Sequence, residues 1–251
     1  MTDGARVVVI IPTYNEVENL LIAVSGARKA VPDADVLVVD DHSPDGTGAL
    51  ADEIAATDPH VLVLHRAVKT GLGAAYKEAF QWALDRRYDV IVEMDADGSH
   101  DPADLPRLLA ALSGADLVLG SRWVDGGAVV DWPPWRLALS RGGNRYTRMA
   151  LGLPVKDATG GFRAFRAEVL RTIPLDAVSS AGYCFQVDLV FRTTRAGFQV
   201  REVPITFRER TRGQSKMSGA IVVEALAKVT MWAVTNRGAR LRQRVGPRGA
   251  T

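Results

Sequence analysis

Cysteine is nearly missing from this chain of 251 residues: Cys184 stands alone. One thiol excludes an intrachain disulfide and a cysteine-based zinc site, and its apolar neighbours mark it as core rather than nucleophile. Also lacking is a run of about 20 apolar residues, the length a helix needs to cross a bilayer. The nearest candidate, Ala220–Val234, carries Glu224 and Lys228 one helical turn apart and so on one face. It reads as an amphipathic helix, with core packing favoured over membrane contact. No signal-peptide pattern precedes the first strand, which points to a cytoplasmic protein. Acids are absent after Asn236, where five arginines stand (Arg237, Arg240, Arg242, Arg244, Arg248). The formal net charge of +2 therefore hides a net acidic body. Such a tail can meet an anionic membrane surface or nucleic acid, or act as a disordered solubilising end. No recognised nucleic-acid module accompanies it, so no nucleic-acid partner is expected. The four histidines have no metal-cluster spacing and are read as non-catalytic.

What is present is an alternation. Arg6–Ile11, Asp35–Val39, Val61–Leu64, Asp89–Met94 and Asp116–Leu119 read as strands. Glu16–Ala30, Gly46–Ala56, Gly73–Arg86 and Pro102–Leu112 read as the helices between them. This predicts an α/β fold, a mostly parallel sheet with helices on both faces. Ligands in such sheets sit beyond the carboxyl ends of the strands, where the polar clusters fall: Pro12–Glu16, Asp40–Gly46, Asp95–Asp97 and Gly120–Arg122. Beyond Arg122 the sequence predicts a Gly/Pro/Trp loop over Asp125–Pro134 and a basic helix over Trp135–Leu151. The helix carries Arg136, Arg141, Arg145 and Arg148. It reads either as a membrane-surface helix or as a partly buried helix with solvated arginines. A short strand over Arg163–Arg166, a helix over Gln186–Arg195 and a last core strand over Phe198–Phe207 follow. Residues 1–217 form the expected catalytic unit, with the amphipathic helix and tail of 218–251 as part of it.

Asp95-Ala96-Asp97 ends an apolar run and places two carboxylates on one side of a strand, roughly 6–7 Å apart at Cα. They suit Mg²⁺ or Mn²⁺, hard cations that bridge carboxylates to phosphate oxygens, although a solvated turn has the same composition. Asn15, with Glu18 three residues on, has the pattern of a capping box. Asp40 and Asp41 point to opposite sides of their strand, so one of them can face a ligand. Lys69-Thr70-Gly71-Leu72-Gly73-Ala74 opens a helix after a glycine-bearing loop, a geometry suited to anions. It lacks a Walker A ending, which excludes that type of ATPase.

Six stretches together are selective: Ile11–Glu16, Val38–Thr47, Lys69–Tyr76, Met94–Pro102, Asp157–Arg163 and Arg210–Lys216. On them the chain resembles the inverting glycosyltransferases of family 2, with the GT-A fold, a Rossmann-like sheet. Within that family it is similar to the polyprenol (dolichol) monophosphate mannose synthases. The resemblance implies that Pro12, Tyr14 and Glu16 line a nucleotide pocket and that Val39 and Asp41 contact base or ribose. Asp95, Ala96 and Asp97 would hold the nucleotide and a Mg²⁺ or Mn²⁺ ion. Asp97 would bind the ion directly, and Asp95 would bind ion or ribose. Some relatives have glutamine where Ser99 stands, so Ser99 would act as a neutral ligand through water. Arg210 and Lys216 would meet the leaving diphosphate, while Arg122 and Arg136 would hold the acceptor phosphate. Arg163 is expected to be structural, paired with a carboxylate such as Asp157. Gln186 and Asp188 lie near where many family members place a catalytic base.

The reaction implied is inverting transfer of mannose from GDP-mannose to polyprenyl or dolichyl monophosphate, with Asp97, Arg122, Arg210 and Lys216 as catalytic residues. A phosphate acceptor is already anionic at neutral pH and needs no general base. Two alternatives are a UDP-glucose-dependent polyprenyl-phosphate glucosyltransferase and an inactive, nucleotide-responsive membrane adaptor. With no spanning helix expected, the chain would reach its lipid as a peripheral protein on the cytoplasmic face, by its own basic surfaces or through a separate membrane-anchoring protein.

Overall fold

The computed structural model describes residues 4–178, 183–209 and 225–235. Seven strands form the main sheet: β1 Val7–Thr13, β2 Asp35–Asp40, β3 Val61–His65, β4 Val90–Glu93, β5 Leu117–Ser121, β7 Arg163–Arg166 and β8 Val200–Pro204. Their order is β3-β2-β1-β4-β7-β5-β8. β7 alone runs antiparallel to its neighbours, pairing Glu93 with Arg163 on one side and Leu119 with Arg163 on the other. The helices are α1 Val17–Ala30, α2 Thr47–Thr57, α3 Leu72–Asp85, α4 Leu105–Ala111, α5 Pro134–Leu151, α6 Ala167–Thr172 and α7 Tyr183–Arg195. Residues 225–235 form a further helix.

The sheet is covered on both faces because each central strand is apolar on both. In β1 alternate side chains point to opposite sides. Val8 and Ile10 join the apolar layer that includes Phe80, Phe165 and Phe185. Val9 and Ile11 join the layer that includes Leu20, Val24 and Leu105. Val229 and Ala233 of the 225–235 helix enter the first layer.

The expected alternation is present, with strand ends moved by one or two residues. Three differences have physical causes. Phe198–Phe207 is not one strand: β8 stops at Pro204, and β9, Thr206–Arg208, pairs instead with β6, Ala128–Val130. Proline supplies no ladder N–H, so the chain leaves the main sheet there. β6 lies within the Gly/Pro loop and is held by this non-local pairing. The capping box is absent: α1 starts at Val17 with no side-chain cap, and Asn15 takes φ +59°. Its N–H is satisfied from elsewhere, by Ser43 Oγ at 3.1 Å.

Candidate active site

A cleft of about 360 Å³ opens over the carboxyl ends of β1, β2, β4 and β5. Of the residues singled out in the sequence, Pro12, Tyr14, Glu16, Asp41, Lys69, Asp95, Ala96, Asp97, Ser99, Arg122 and Arg136 all line it. Val39 does not. Its side chain is fully buried in the core, and its carbonyl accepts from Thr13 Oγ1 at 3.3 Å. Arg210 and Lys216 lie outside the described residues.

The Pro12–Glu16 wall is built by the segment after β2. Ser43 Oγ takes the N–H of Asn15, Thr47 Oγ1 that of Glu16 at 3.0 Å, and Asp45 Oδ2 that of Val17 at 3.3 Å. Burial would raise the Asp45 carboxyl, but hydrogen bonds from Thr47 and from backbone N–H groups outweigh it and hold the group low. Asp40 and Asp41 part as a strand requires. Asp40 turns to Ser43 N at 3.3 Å, while Asp41 faces the cleft paired with Arg66. Arg66 also binds Glu78 at 2.8 Å and Thr70 Oγ1 at 2.7 Å, which ties the loop before α3 to β2. Gly71 then takes φ +97°, a conformation closed to most side chains, and starts α3 at the cleft edge. Lys69 Nζ sits 3.3 Å from the centre of the Tyr14 ring. A base stacking on Tyr14 must therefore share that face with an ammonium group or displace it.

The Asp95–His100 turn forms the floor. Asp95 N donates to His100 Nδ1 at 3.0 Å, which leaves the ring proton on Nε2, 3.9 Å from Asp95 Oδ2. The buried His100 ring stacks on Phe162 at 4.9 Å. Histidine thus serves as a brace for the turn, a role the spacing of the histidines did not reveal. Asp97 Oδ1 accepts from Ser99 N at 3.0 Å. The Asp95 side chain is 34% exposed, whereas Ser99 Oγ is buried without a hydrogen-bond partner. Beneath, burial pushes the Glu93 carboxyl up to about 8 against the opposing pull of Arg163, 3.8 Å away.

Among the described residues no three acidic, histidine or cysteine side chains gather as a complete metal cage. Two carboxylates and an orphaned hydroxyl facing one cleft fit a hard divalent cation whose other ligands are substrate oxygens and water.

On the opposite wall the expected pairings change. Asp157 is gripped by Arg122, not Arg163: Arg122 Nε and Nη2 each donate to it at 2.7 Å, and the Arg122 N–H adds a bond at 3.1 Å. Thr159 Oγ1 accepts from the same Nη2 at 2.9 Å. The fork expected to hold an acceptor phosphate is closed on this carboxylate. Burial alone would raise Asp157, but the Arg122 guanidinium and its N–H bonds hold the group below the usual carboxylate range. Arg163 is structural, as expected, but its carboxylate partner is Glu93 at 3.8 Å rather than Asp157, and it donates to the carbonyls of Gly160 at 2.7 Å, Gln186 at 2.7 Å and Ala158 at 2.8 Å. Arg136 pairs with Glu209 and lies 4.1 Å above the Trp132 ring. Gln186 reaches the cleft, whereas Asp188 is buried against Arg192 at 2.8 Å.

The family model described as glycosyl transferase family 2 matches residues 8–173. The chain is 58% identical over 241 residues to an undecaprenyl-phosphate mannosyltransferase of Micrococcus luteus, covering 96% of this chain and 99% of the relative. It is 56% identical to a polyprenol monophosphomannose synthase of Mycolicibacterium smegmatis, over 94% of this chain and 90% of the relative. Among solved structures it is similar to glucosyl-3-phosphoglycerate synthase of Mycobacterium tuberculosis, crystallised with Mn²⁺, UDP-glucose and phosphoglyceric acid. That likeness has a TM-score of 0.66 at 19% identity, covers 92% of this chain and 81% of the other, and speaks to fold alone.

Proposed function

The chain belongs to glycosyl transferase family 2 and has the GT-A fold, and from that premise we propose that it transfers mannose to a polyprenyl monophosphate. The observation that carries this reading is the identity, over nearly its whole length, to two enzymes named for that transfer. The cleft supports it. Tyr14, Glu16, Asp41 and the Asp95–Ser99 turn line one side of it and cationic Arg122 and Arg136 the other, an arrangement that suits a reaction between two anionic substrates.

We take the donor to be GDP-mannose. Tyr14, Glu16 and Asp41 would receive the nucleoside, and the turn from Asp95 to Ser99 the diphosphate. Asp95, Asp97 and the Ser99 hydroxyl would hold Mg²⁺ or Mn²⁺ there, supplying positive charge to the leaving diphosphate. Arg136, beside Arg122, would set the acceptor phosphate in line with the sugar, and Glu209 acts as its counter-ion until that phosphate arrives. An oxygen of the acceptor phosphate attacks the anomeric carbon. The carbon–oxygen bond to the diphosphate breaks, and GDP leaves with the bonding pair. A single displacement inverts the anomeric centre, so an α-linked donor gives a β-mannosyl phosphate. The nucleophile is already ionised, so proximity and alignment carry most of the rate. Arg210 and Lys216 remain candidates for the leaving group.

No helix among the described residues is long and apolar enough to cross a membrane, and we place the enzyme as a peripheral protein on the cytoplasmic face. The test is a radiolabel transfer assay to polyprenyl phosphate from GDP-mannose and, separately, UDP-glucose. Transfer from GDP-mannose alone is expected, silenced by EDTA, restored by Mg²⁺ or Mn²⁺, and abolished in Asp97→Ala. Preference for UDP-glucose would assign the glucosyltransferase, and no transfer from either would favour an idle adaptor.

A further inference from the structure

A second concentration of positive charge adjoins the reaction cleft, the two sharing Arg122. Arg141, Arg145 and Arg148 follow one another at helical spacing on α5, and with Lys156, Trp123 and Met149 they line a hollow of about 600 Å³. All four cations are exposed, and among the described residues none makes an ion pair with an acid. The nearby carboxylate, Glu202, is occupied by the backbone N–H groups of Lys156 at 2.7 Å and Asp157 at 2.9 Å.

An apolar strip runs along α5 beside this hollow and reaches it at Met149. On the outer face of α5, Trp135 is 66% exposed and Met149 69%, with Leu139 between them. Tyr146, on that same face, meets Thr230 Oγ1 at 2.6 Å, which joins α5 to the 225–235 helix. That helix exposes Met231 and Val234 in turn. Converging cations beside an apolar strip on two adjoining helices match a bilayer interface, with phosphates at one depth and acyl chains at the next. An acidic protein would answer the charges but leave the apolar strip without a partner.

We propose that the hollow takes the phosphate of an anionic phospholipid headgroup while α5 and the 225–235 helix lie along the bilayer surface. The hollow shares with the reaction cleft the single residue Arg122, whose fork is closed on Asp157, so the phosphate it takes is not the one that reacts; the proposal rests on the peripheral placement above.

The experiment is co-sedimentation of the full chain with phosphatidylcholine vesicles, with and without phosphatidylglycerol, in low and high salt. It compares wild type with the triple variant Arg141→Gln, Arg145→Gln, Arg148→Gln. Wild type should bind the anionic vesicles, less in high salt, and the triple variant should lose roughly a hundredfold in partitioning. Its thermal midpoint and GDP-mannose affinity should stay unchanged, because these side chains are exposed and outside the cleft. Trp135→Ser should weaken the binding that survives high salt. Equal binding by wild type and triple variant would overturn the assignment to α5 while leaving peripheral placement intact. No vesicle binding by wild type would remove both and give the surface to a membrane protein. Saturable inorganic phosphate binding that the triple variant lacks, without vesicle binding, would make the ligand a soluble phosphate and overturn the lipid assignment. The transfer reaction stands or falls separately, on the radiolabel assay.

Discussion

Replacing Asp157 with asparagine tests whether the wall proposed for the acceptor is held up by a buried ion pair. The carboxylate is fully buried and takes two guanidinium bonds of 2.7 Å from Arg122, which is itself buried. Removing one partner of such a pair leaves an uncompensated charge and costs about 3–5 kcal/mol. Asparagine keeps one acceptor oxygen, so the lower end, about 3 kcal/mol, is the expected loss. In a protein of this size each kcal/mol moves the melting temperature by about 2–4 °C, so a fall of about 6–12 °C should be seen by circular dichroism at pH 7. The pH dependence supplies a second reading. The folded carboxyl titrates below its ordinary value of 3.8. Its stabilisation is therefore fully present above that value and is lost as the pH falls through the lower, folded value. The gap between wild-type and variant melting curves should hold down to about pH 4 and narrow below it. A variant melting within about 2 °C of wild type at pH 7 would refute the reasoning, because the pair would then be worth no more than a surface contact.

Two further changes probe the same wall. Gly127→Ala would place a Cβ 2.6 Å from Ser121 O and 2.9 Å from Arg122 C, both backbone atoms. It should cost about 1–3 kcal/mol in urea unfolding, and an unchanged midpoint would mean that this loop yields easily. Arg136→Ala should raise the KM for polyprenyl phosphate about tenfold or more while GDP-mannose affinity by calorimetry stays within twofold. A comparable loss of nucleotide affinity would place Arg136 on the donor side instead.

The first half of the fold is legible in the sequence because its strands are buried on both faces and read as unbroken apolar runs between turn signals. Val7–Thr13 and Asp35–Asp40 are found within two residues on that basis. The second half is less legible because its elements depend on partners far away in the chain. Nothing local announces that Ala128–Val130 pairs with Thr206–Arg208, or that α6 forms between β7 and α7. The site shows the same division. The clusters at Pro12, Asp41 and Asp95 are visible because each follows its own strand. The Arg122–Asp157 pairing is not, since both Arg122 and Arg163 are plausible partners by charge alone, and only the sheet order decides between them. The role of His100 leaves no motif, because its partner is a backbone N–H.

That sheet order also explains how one cleft acquires two chemically different walls. β1, β2 and β4 run parallel and deliver Pro12–Glu16, Asp41 and Asp95–Ser99 from their carboxyl ends. β7 runs the other way, so the segment that reaches the same edge is the one preceding it, Asp157–Phe162. Next to it β5, parallel to the first group, ends at Ser121 and presents Arg122. The reversal at β7 therefore places the Asp157 carboxylate and the Thr159 hydroxyl beside Arg122, which they orient, while the wall proposed for the donor stays on the far side of β4. Under the proposed reaction the leaving diphosphate and the attacking phosphate then approach the sugar from opposite walls. In-line displacement demands that geometry, and a single displacement of this kind would invert the anomeric centre.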